Sequence, residues 1–168
     1  MEILIQKVMI LKLKDGDVVI ELFKDVAPNH VQRFKRLAEE KKYDDVIFNR
    51  VIDGFMAQTG DVQIGNSALE SFDTTRVGKG GSEYPDLKAE FSDIPHARGT
   101  LSMARSSSPN SANSQFFICF KSAPHLDRQY TVFGKVIQGM EFVDLIKRGE
   151  SPNGEVTNPD KIISLTSN

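Results

Sequence analysis

The residues with the most chemical potential lie in Phe48-Asn49-Arg50-Val51-Ile52-Asp53-Gly54-Phe55-Met56-Ala57-Gln58-Thr59-Gly60-Asp61. A single cation, Arg50, stands among apolar residues, followed by a Phe-Met pair and then Gln58. Downstream, Leu101-Ser102-Met103-Ala104 and Ser114-Gln115-Phe116-Phe117-Ile118 again mix apolar and amide side chains. Arginine stays charged at any working pH and carries a rigid fork of donors. Fixed beside an apolar surface, it can stabilise a charge or lone pair that develops on a bound ligand. The opposing reading is structural, with Met and Phe as core residues of strands and Arg50 as an edge charge. Residue types alone leave both open.

Other candidates are weaker. Cys119 sits in the apolar run Phe116-Phe117-Ile118-Cys119-Phe120, where a free cysteine reads as a small buried hydrophobe rather than a nucleophile. His30, His96 and His125 are dispersed and lack the spacing of zinc ligands, so no metal or other cofactor is expected. Gly78-Lys79-Gly80-Gly81 resembles a phosphate loop only superficially. A P-loop needs Gly, four residues, then Gly-Lys-Ser/Thr, whereas position 73 is Asp and Lys79 is followed by Gly80. A turn, or backbone lying close against a ligand, is the better reading. The scattered carboxylates form no recognisable acid pair.

The elements that must position these residues are mostly short strands. Val8 to Leu13 and Val18 to Phe23 flank Asp15-Gly16, a hairpin signal. Pro28 opens a helix on which Val31, Phe34 and Leu37 share a face. Further strands are expected over Ile47 to Ile52, Phe55 to Gln58, Thr100 to Ala104, Phe116 to Phe120, Tyr130 to Ile137 and Lys161 to Thr166. A second helix is expected over Met140 to Lys147, stopped by Gly149. Many strands and two helices argue for a β barrel or sandwich. Gly60 to Arg98 is long and irregular, which marks a functional or mobile stretch.

Composition sets the outer limits. The chain has 168 residues, 39% apolar and 26% charged, with no linker dividing it. A chain of this length buries about 70% of its unfolded surface, so residues 1–168 read as a single domain with one core. Lys plus Arg is 21 against 23 Asp plus Glu, a net of -2, without the basic excess of a nucleic-acid binder. One cysteine permits no intrachain disulfide and fits a reducing compartment. No run approaches the ~20 apolar residues of a membrane helix. Met1 to Lys7 lacks the features of a signal peptide. The expectation is a soluble cytoplasmic monomer.

Taken together, the motifs around Arg50 and Gln115 resemble the signatures of the cyclophilins, the cyclosporin-binding peptidyl-prolyl cis-trans isomerases. The Asp15-Gly16 hairpin, the Pro28 helix, Gly78 to Gly81, Tyr130-Thr131-Val132-Phe133-Gly134-Lys135-Val136 and Gly139-Met140 follow in the family order. The similarity runs from about Val8 to Ser164. The Asn110-Ser111-Ala112-Asn113-Ser114-Gln115 wording is closest to small bacterial members. The resemblance implies a mainly β fold, a closed eight-stranded antiparallel barrel capped by two α-helices. It implies isomerisation of X–Pro bonds in peptides and unfolded chains.

By the same resemblance Arg50 is the catalytic cation, with Gln58 orienting it. Phe55, Met56, Phe117 and Leu126 wall the proline pocket. Ala104, Arg105 and Gln115 line the groove for residues before proline, and Gly78 borders a neighbouring pocket. Three positions depart from the animal pattern. Tyr130 stands where many members carry His; its ring still closes the pocket and its hydroxyl can donate. His125 replaces a Trp, which weakens binding of cyclosporin-type inhibitors. Arg105 replaces an Asn, and its charge favours acidic residues near the proline. The alternative reading is a proline-peptide scaffold or chaperone with incidental turnover.

Overall fold

The computed structural model describes residues 8–168, so the reading of Met1 to Lys7 lies outside the described residues. Eight strands form one antiparallel sheet: β1 (Val8–Leu13), β2 (Gly16–Leu22), β3 (Arg50–Ile52), β4 (Met56–Thr59), β5 (Thr100–Met103), β6 (Phe116–Cys119), β7 (Val132–Gln138) and β8 (Ser164–Ser167). Their spatial order is β3-β4-β6-β5-β7-β2-β1-β8. Helix α1 (Pro28–Glu39) packs on β8 and β7, and α2 (Met140–Val143) packs on β2. Among the described residues no helix is long and apolar enough to cross a membrane.

The expected closure of the barrel is corrected: the ladder is an open half-barrel with β3 and β8 as its edges. The segment that would join them makes only isolated bridges, Ile47 to Lys161 and Arg50 to Glu155. Its sequence explains why. Pro152 and Pro159 have no N–H to give a ladder, and Asn158 turns away at φ 53°.

Two local expectations also shift. The hairpin forms, but Leu13 pairs with Gly16, so the turn residues are Lys14 and Asp15. Gly16 is needed for packing instead, since a Cβ there would lie 2.5 Å from the ring of Phe142. The second helix stops at Val143 rather than Lys147. Beyond it the backbone closes tighter turns, Leu145 N–H to Phe142 O and Ile146 N–H to Val143 O. The Arg148 guanidinium then takes the Asp144 and Ile146 carbonyls.

Helix α1 begins with Pro28 in its first turn and buries His30, Val31, Phe34, Leu37 and Ala38. Phe34 is fully buried and meets Phe116 edge-on at 5.0 Å, Phe133 at 5.0 Å and Tyr43 at 5.5 Å. Tyr43 sends its hydroxyl to Ser114 O at 2.7 Å. This aromatic group joins the helix to the inner face of β6 and β7. Phe34→Ala should therefore lower the unfolding free energy by about 3–5 kcal/mol, read from urea denaturation; a loss under about 1 kcal/mol would contradict that role for the ring.

Candidate active site

Strand register builds the site. Directly paired residues of antiparallel strands share a face. Arg50 pairs with Gln58 and Gln58 with Phe117, while Ile52 pairs with Met56 and Met56 with Cys119. Phe117 in turn pairs with Ser102. The alternate positions Val51, Ala57, Ile118, Leu101, Phe116 and Met103 point the other way, into the main core. One face of β3-β4-β6-β5 is thus core, and the other carries the candidate site.

On that second face Met56, Phe117, Cys119, Ala123 and Leu126 form a separate apolar cluster. Half-buried Ile52, Phe55, Ala104 and Tyr130 pack against it. The short 3-10 turn Pro124–Leu126 delivers Leu126. The Tyr130 ring meets Phe117 edge-on at 5.9 Å. Arg105 lies over the Tyr130 ring at 4.4 Å and donates to Gln129 O at 2.7 and 3.1 Å. Arg105 thus braces Tyr130 and also lines the groove. His125 is exposed, 5.5 Å from the Phe55 ring, at the rim. Cys119 is fully buried, and desolvation pushes its thiol up to about 12, so it is a hydrophobe here.

A polar chain runs along the open edge of this cluster. Arg50 donates from Nε to Asn153 O at 2.8 Å and from Nη1 to Gln58 Oε1 at 3.4 Å. Gln58 Nε2 donates to Gln115 Oε1 at 3.0 Å. Gln115 Nε2 donates to Gly78 O at 3.0 Å and Gly80 O at 2.8 Å. Among the described residues no carboxylate lies within ion-pair distance of Arg50, so its charge is not neutralised by a neighbour. Arg50, Gln58, Gln115 and Gly78 are therefore brought together, beside the apolar cluster.

Two contributors were not singled out from the sequence. Asp61 is fully buried and accepts the N–H groups of Gln63 and Ile64 on one oxygen and of Gly78 and Gly80 on the other. The glycines are wrapped around a carboxylate: a Cβ at Gly80 would lie 2.3 Å from Asp61 Oδ1. The Gly60-Asp61 pair at the end of the Arg50 motif was the available signal.

His96 is the second. Its ring stacks on Phe117 at 6.1 Å, and its Nε2 meets the Ser102 hydroxyl at 2.8 Å. Its backbone N–H and Nδ1 both meet Asp127 Oδ1, at 2.7 and 3.1 Å. It ties β5, Phe117 and the Leu126 turn together from behind.

Residues 8–167 match the family model described as cyclophilin type peptidyl-prolyl cis-trans isomerase/CLD. The chain belongs to this family. A probable peptidyl-prolyl cis-trans isomerase of Brucella suis biovar 1 (strain 1330) is 60% identical over 162 residues, 96% of this chain and 82% of that one. A peptidyl-prolyl cis-trans isomerase-like 3 of Gallus gallus is 41% identical over 137 residues, 79% of this chain and 77% of that one. A Cryptosporidium parvum cyclophilin-type isomerase, solved in the presence of the dipeptide Ala-Pro, aligns with TM-score 0.80 at 28% identity, covering 96% of this chain and 99% of that one. This cyclophilin is a peptidyl-prolyl cis-trans isomerase, an enzyme that interconverts the cis and trans forms of X–Pro bonds.

Two measurements follow from the supports of this cyclophilin's site. Desolvation lowers the pKa of buried His96 and of buried His30, against the opposing pull of Asp127 and Glu90. Each ring then binds its proton more weakly folded than unfolded, so the unfolded chain takes up more protons below about pH 6.5. Stability should be full above that pH and fall as the solution is acidified toward 5.5, followed by thermal melting. A melting temperature that rises on acidification would contradict this. For Asp61→Asn, one anionic oxygen is lost from the glycine loop. Amide exchange at Gly78 and Gly80 should speed up about tenfold with the fold kept, and unchanged protection would show that the carboxylate does not hold the loop.

Proposed function

We propose that isomerisation proceeds by holding the proline ring in the apolar pocket while Arg50 stabilises the twisted amide. The planar X–Pro bond resists rotation because resonance is lost on twisting, a barrier of about 18–20 kcal/mol. The two ground states differ by only about 0.5–1 kcal/mol, yet interconvert over tens to hundreds of seconds. Reaching milliseconds takes about 10⁴–10⁵-fold, or roughly 5.5–7 kcal/mol. No bond is made or broken, so neither a nucleophile nor a phosphate site is called for.

As the amide twists, the nitrogen regains a lone pair that a planar amide does not offer. A donor aimed there interacts with the twisted state more strongly than with either ground state, and only such an interaction raises the rate. The observation that carries this reading is Arg50 itself. It is half-exposed at the edge of the pocket, carries no carboxylate partner among the described residues, and is held by Asn153 O and Gln58. A donor held in place does not have to be reorganised during the reaction.

In this reading Phe55, Met56, Phe117 and Leu126 take the proline ring, and Tyr130 closes the pocket. Gln58, itself bonded to Gln115, holds the arginine, and both amides face the substrate backbone. Ala104 and the main chain of Arg105 form the edge for residues before proline, and Gly78 borders the neighbouring pocket. The C. parvum cyclophilin solved in the presence of Ala-Pro supports proline-containing peptides as ligands of this chain too. His125 offers no indole N–H, so cyclosporin-type inhibitors bind weakly. The chain works as a single isomerase domain on peptides and unfolded chains.

Arg50→Ala should lower kcat/KM on an Ala-Pro peptide by about 10–150-fold, the equivalent of one charged hydrogen bond of about 1.5–3 kcal/mol. Arg50→Lys should recover only part, lacking the planar fork. NMR exchange spectroscopy measures both, with circular dichroism confirming the fold. Unchanged turnover in the alanine variant would remove Arg50 from the mechanism.

A further inference from the structure

The guanidinium of Arg105 is tied to the main chain on two sides. Nε and Nη2 both donate to Gln129 O, at 3.1 and 2.7 Å. Nη1 donates to Ser106 O at 2.9 Å and to Ser107 O at 3.3 Å. These bonds occupy four of the five N–H donors that an arginine carries. The flat cation, so fixed, lies 4.4 Å over the Tyr130 ring, inside the ~6 Å range in which a cation is drawn to an aromatic face.

The contacts join two stretches far apart in sequence that both border the proline pocket. On one side β5 ends at Met103, and Ala104 packs on the pocket cluster. Residues 106–108 then leave the sheet and are exposed. That loop is closed on itself: the Ser111 hydroxyl accepts the Ser106 N–H at 2.9 Å and donates to Ser108 O at 2.6 Å. On the other side the chain runs from the Leu126 turn into β7. Gln129 N–H returns to Leu126 O at 3.0 Å, and Thr131 O accepts the Met103 N–H at 3.0 Å. Between these anchors Arg128 is left-handed at φ 62°, a conformation that a residue with a side chain keeps only when its surroundings fix it.

Tyr130 follows this strained turn. Its half-buried ring packs on the cluster of Met56, Phe117 and Leu126, and it meets Phe117 and His96 nearly at right angles, at 5.9 and 6.5 Å. Phe117 and His96 come from the pocket and its backing. Arg105 adds a hold on the face of the ring and, through Gln129 O, on the residue just before it.

We propose that Arg105 is a positioning residue, a clamp between the loop after β5 and the turn before β7 that sets Tyr130 as a wall of the proline pocket before substrate arrives. The proposal rests on the isomerase reading of that pocket. It gives Arg105 a role through Tyr130 rather than through a charge on the substrate. A wall ordered in advance spares each binding event the cost of ordering that side chain. It serves the planar and the twisted amide alike, so its loss acts on KM and not on kcat.

Arg105→Ala should raise KM for a neutral Ala-Pro peptide about three- to tenfold, with kcat changed by less than about twofold. NMR line-shape analysis separates the two, and circular dichroism confirms the fold. Arg105→Lys keeps the charge but has one nitrogen for carbonyls on two segments, so it should match the alanine variant. In a Tyr130→Ala background, Arg105→Ala should change the peptide Kd by less than about twofold, because a residue that acts through another loses its effect once that other is gone. Recovery in the lysine variant, a full effect without Tyr130, or a loss seen only with a peptide carrying Glu before the proline would each show that Arg105 acts on the substrate directly, and would overturn the clamp. Unchanged KM in Arg105→Ala also overturns it and leaves the isomerase reading standing, whereas no turnover by the wild type overturns both. If the variants unfold, ¹⁵N relaxation at Arg105 Nε in the free wild type decides. An order parameter above about 0.6 supports the clamp, and a lower one, that of a flexible group, overturns it.

Discussion

The molecule depends on the pairing register of β3-β4-β6-β5. Because side chains alternate with period two, one register fixes two surfaces at once. Val51, Ala57, Ile118 and Leu101 go inward to the aromatic group around Phe34, while Arg50, Gln58, Phe117 and Met56 go to the other side. A slip by one residue would bury the arginine and expose the core. The pressure that keeps apolar groups out of water is therefore the same pressure that keeps the cation at the edge of the pocket. Fold stability and site geometry are not separable on these strands.

The register places the cation, and a second layer of polar contacts aims it. Arg50, Gln58, Gln115 and the Gly78–Gly80 carbonyls make a chain in which each amide both donates and accepts. The chain ends on a loop whose N–H groups converge on the buried carboxylate of Asp61. Rigidity at the guanidinium is thus inherited from a group that never faces the groove. His96 does the same from the opposite side, where it links Phe117, Ser102 and the Asp127 turn. Both supports are buried, and both hold elements far apart in sequence.

Much of this was legible in the chain. Ile47 to Ile52 and Phe55 to Gln58 read as strands, and Pro28 with Val31, Phe34 and Leu37 marked the helix. The pocket residues came from the resemblance to the cyclophilins, and the register then places their neighbours across the sheet at matching parity. What escaped depends on long-range contact. Asp61 acts on Gly78 and Gly80, which lie far along a loop without periodicity. His96 depends on Ser102 and Asp127 meeting in space. Gly16 read as a turn residue, yet its small size serves Phe142 from a distant helix. The barrel's closure failed as an expectation because prolines and a left-handed Asn158 interrupt the joining segment, and this is visible only once its path is known.

That interrupted segment has a further consequence. An exposed edge strand is a template onto which any extended chain can add. Residues before a proline are themselves biased toward extended conformations, so the molecules this isomerase handles are the ones most apt to add. Strand β3, which carries Arg50, is such an edge, but Gly149 and Gly154 already hold the two main-chain groups of Val51, and Glu155 bridges Arg50. With Pro152 and Pro159 in the covering segment, the cover itself has gaps in its row of donors. The seam that keeps the sheet from closing on itself thus also covers the main chain of the strand that carries Arg50.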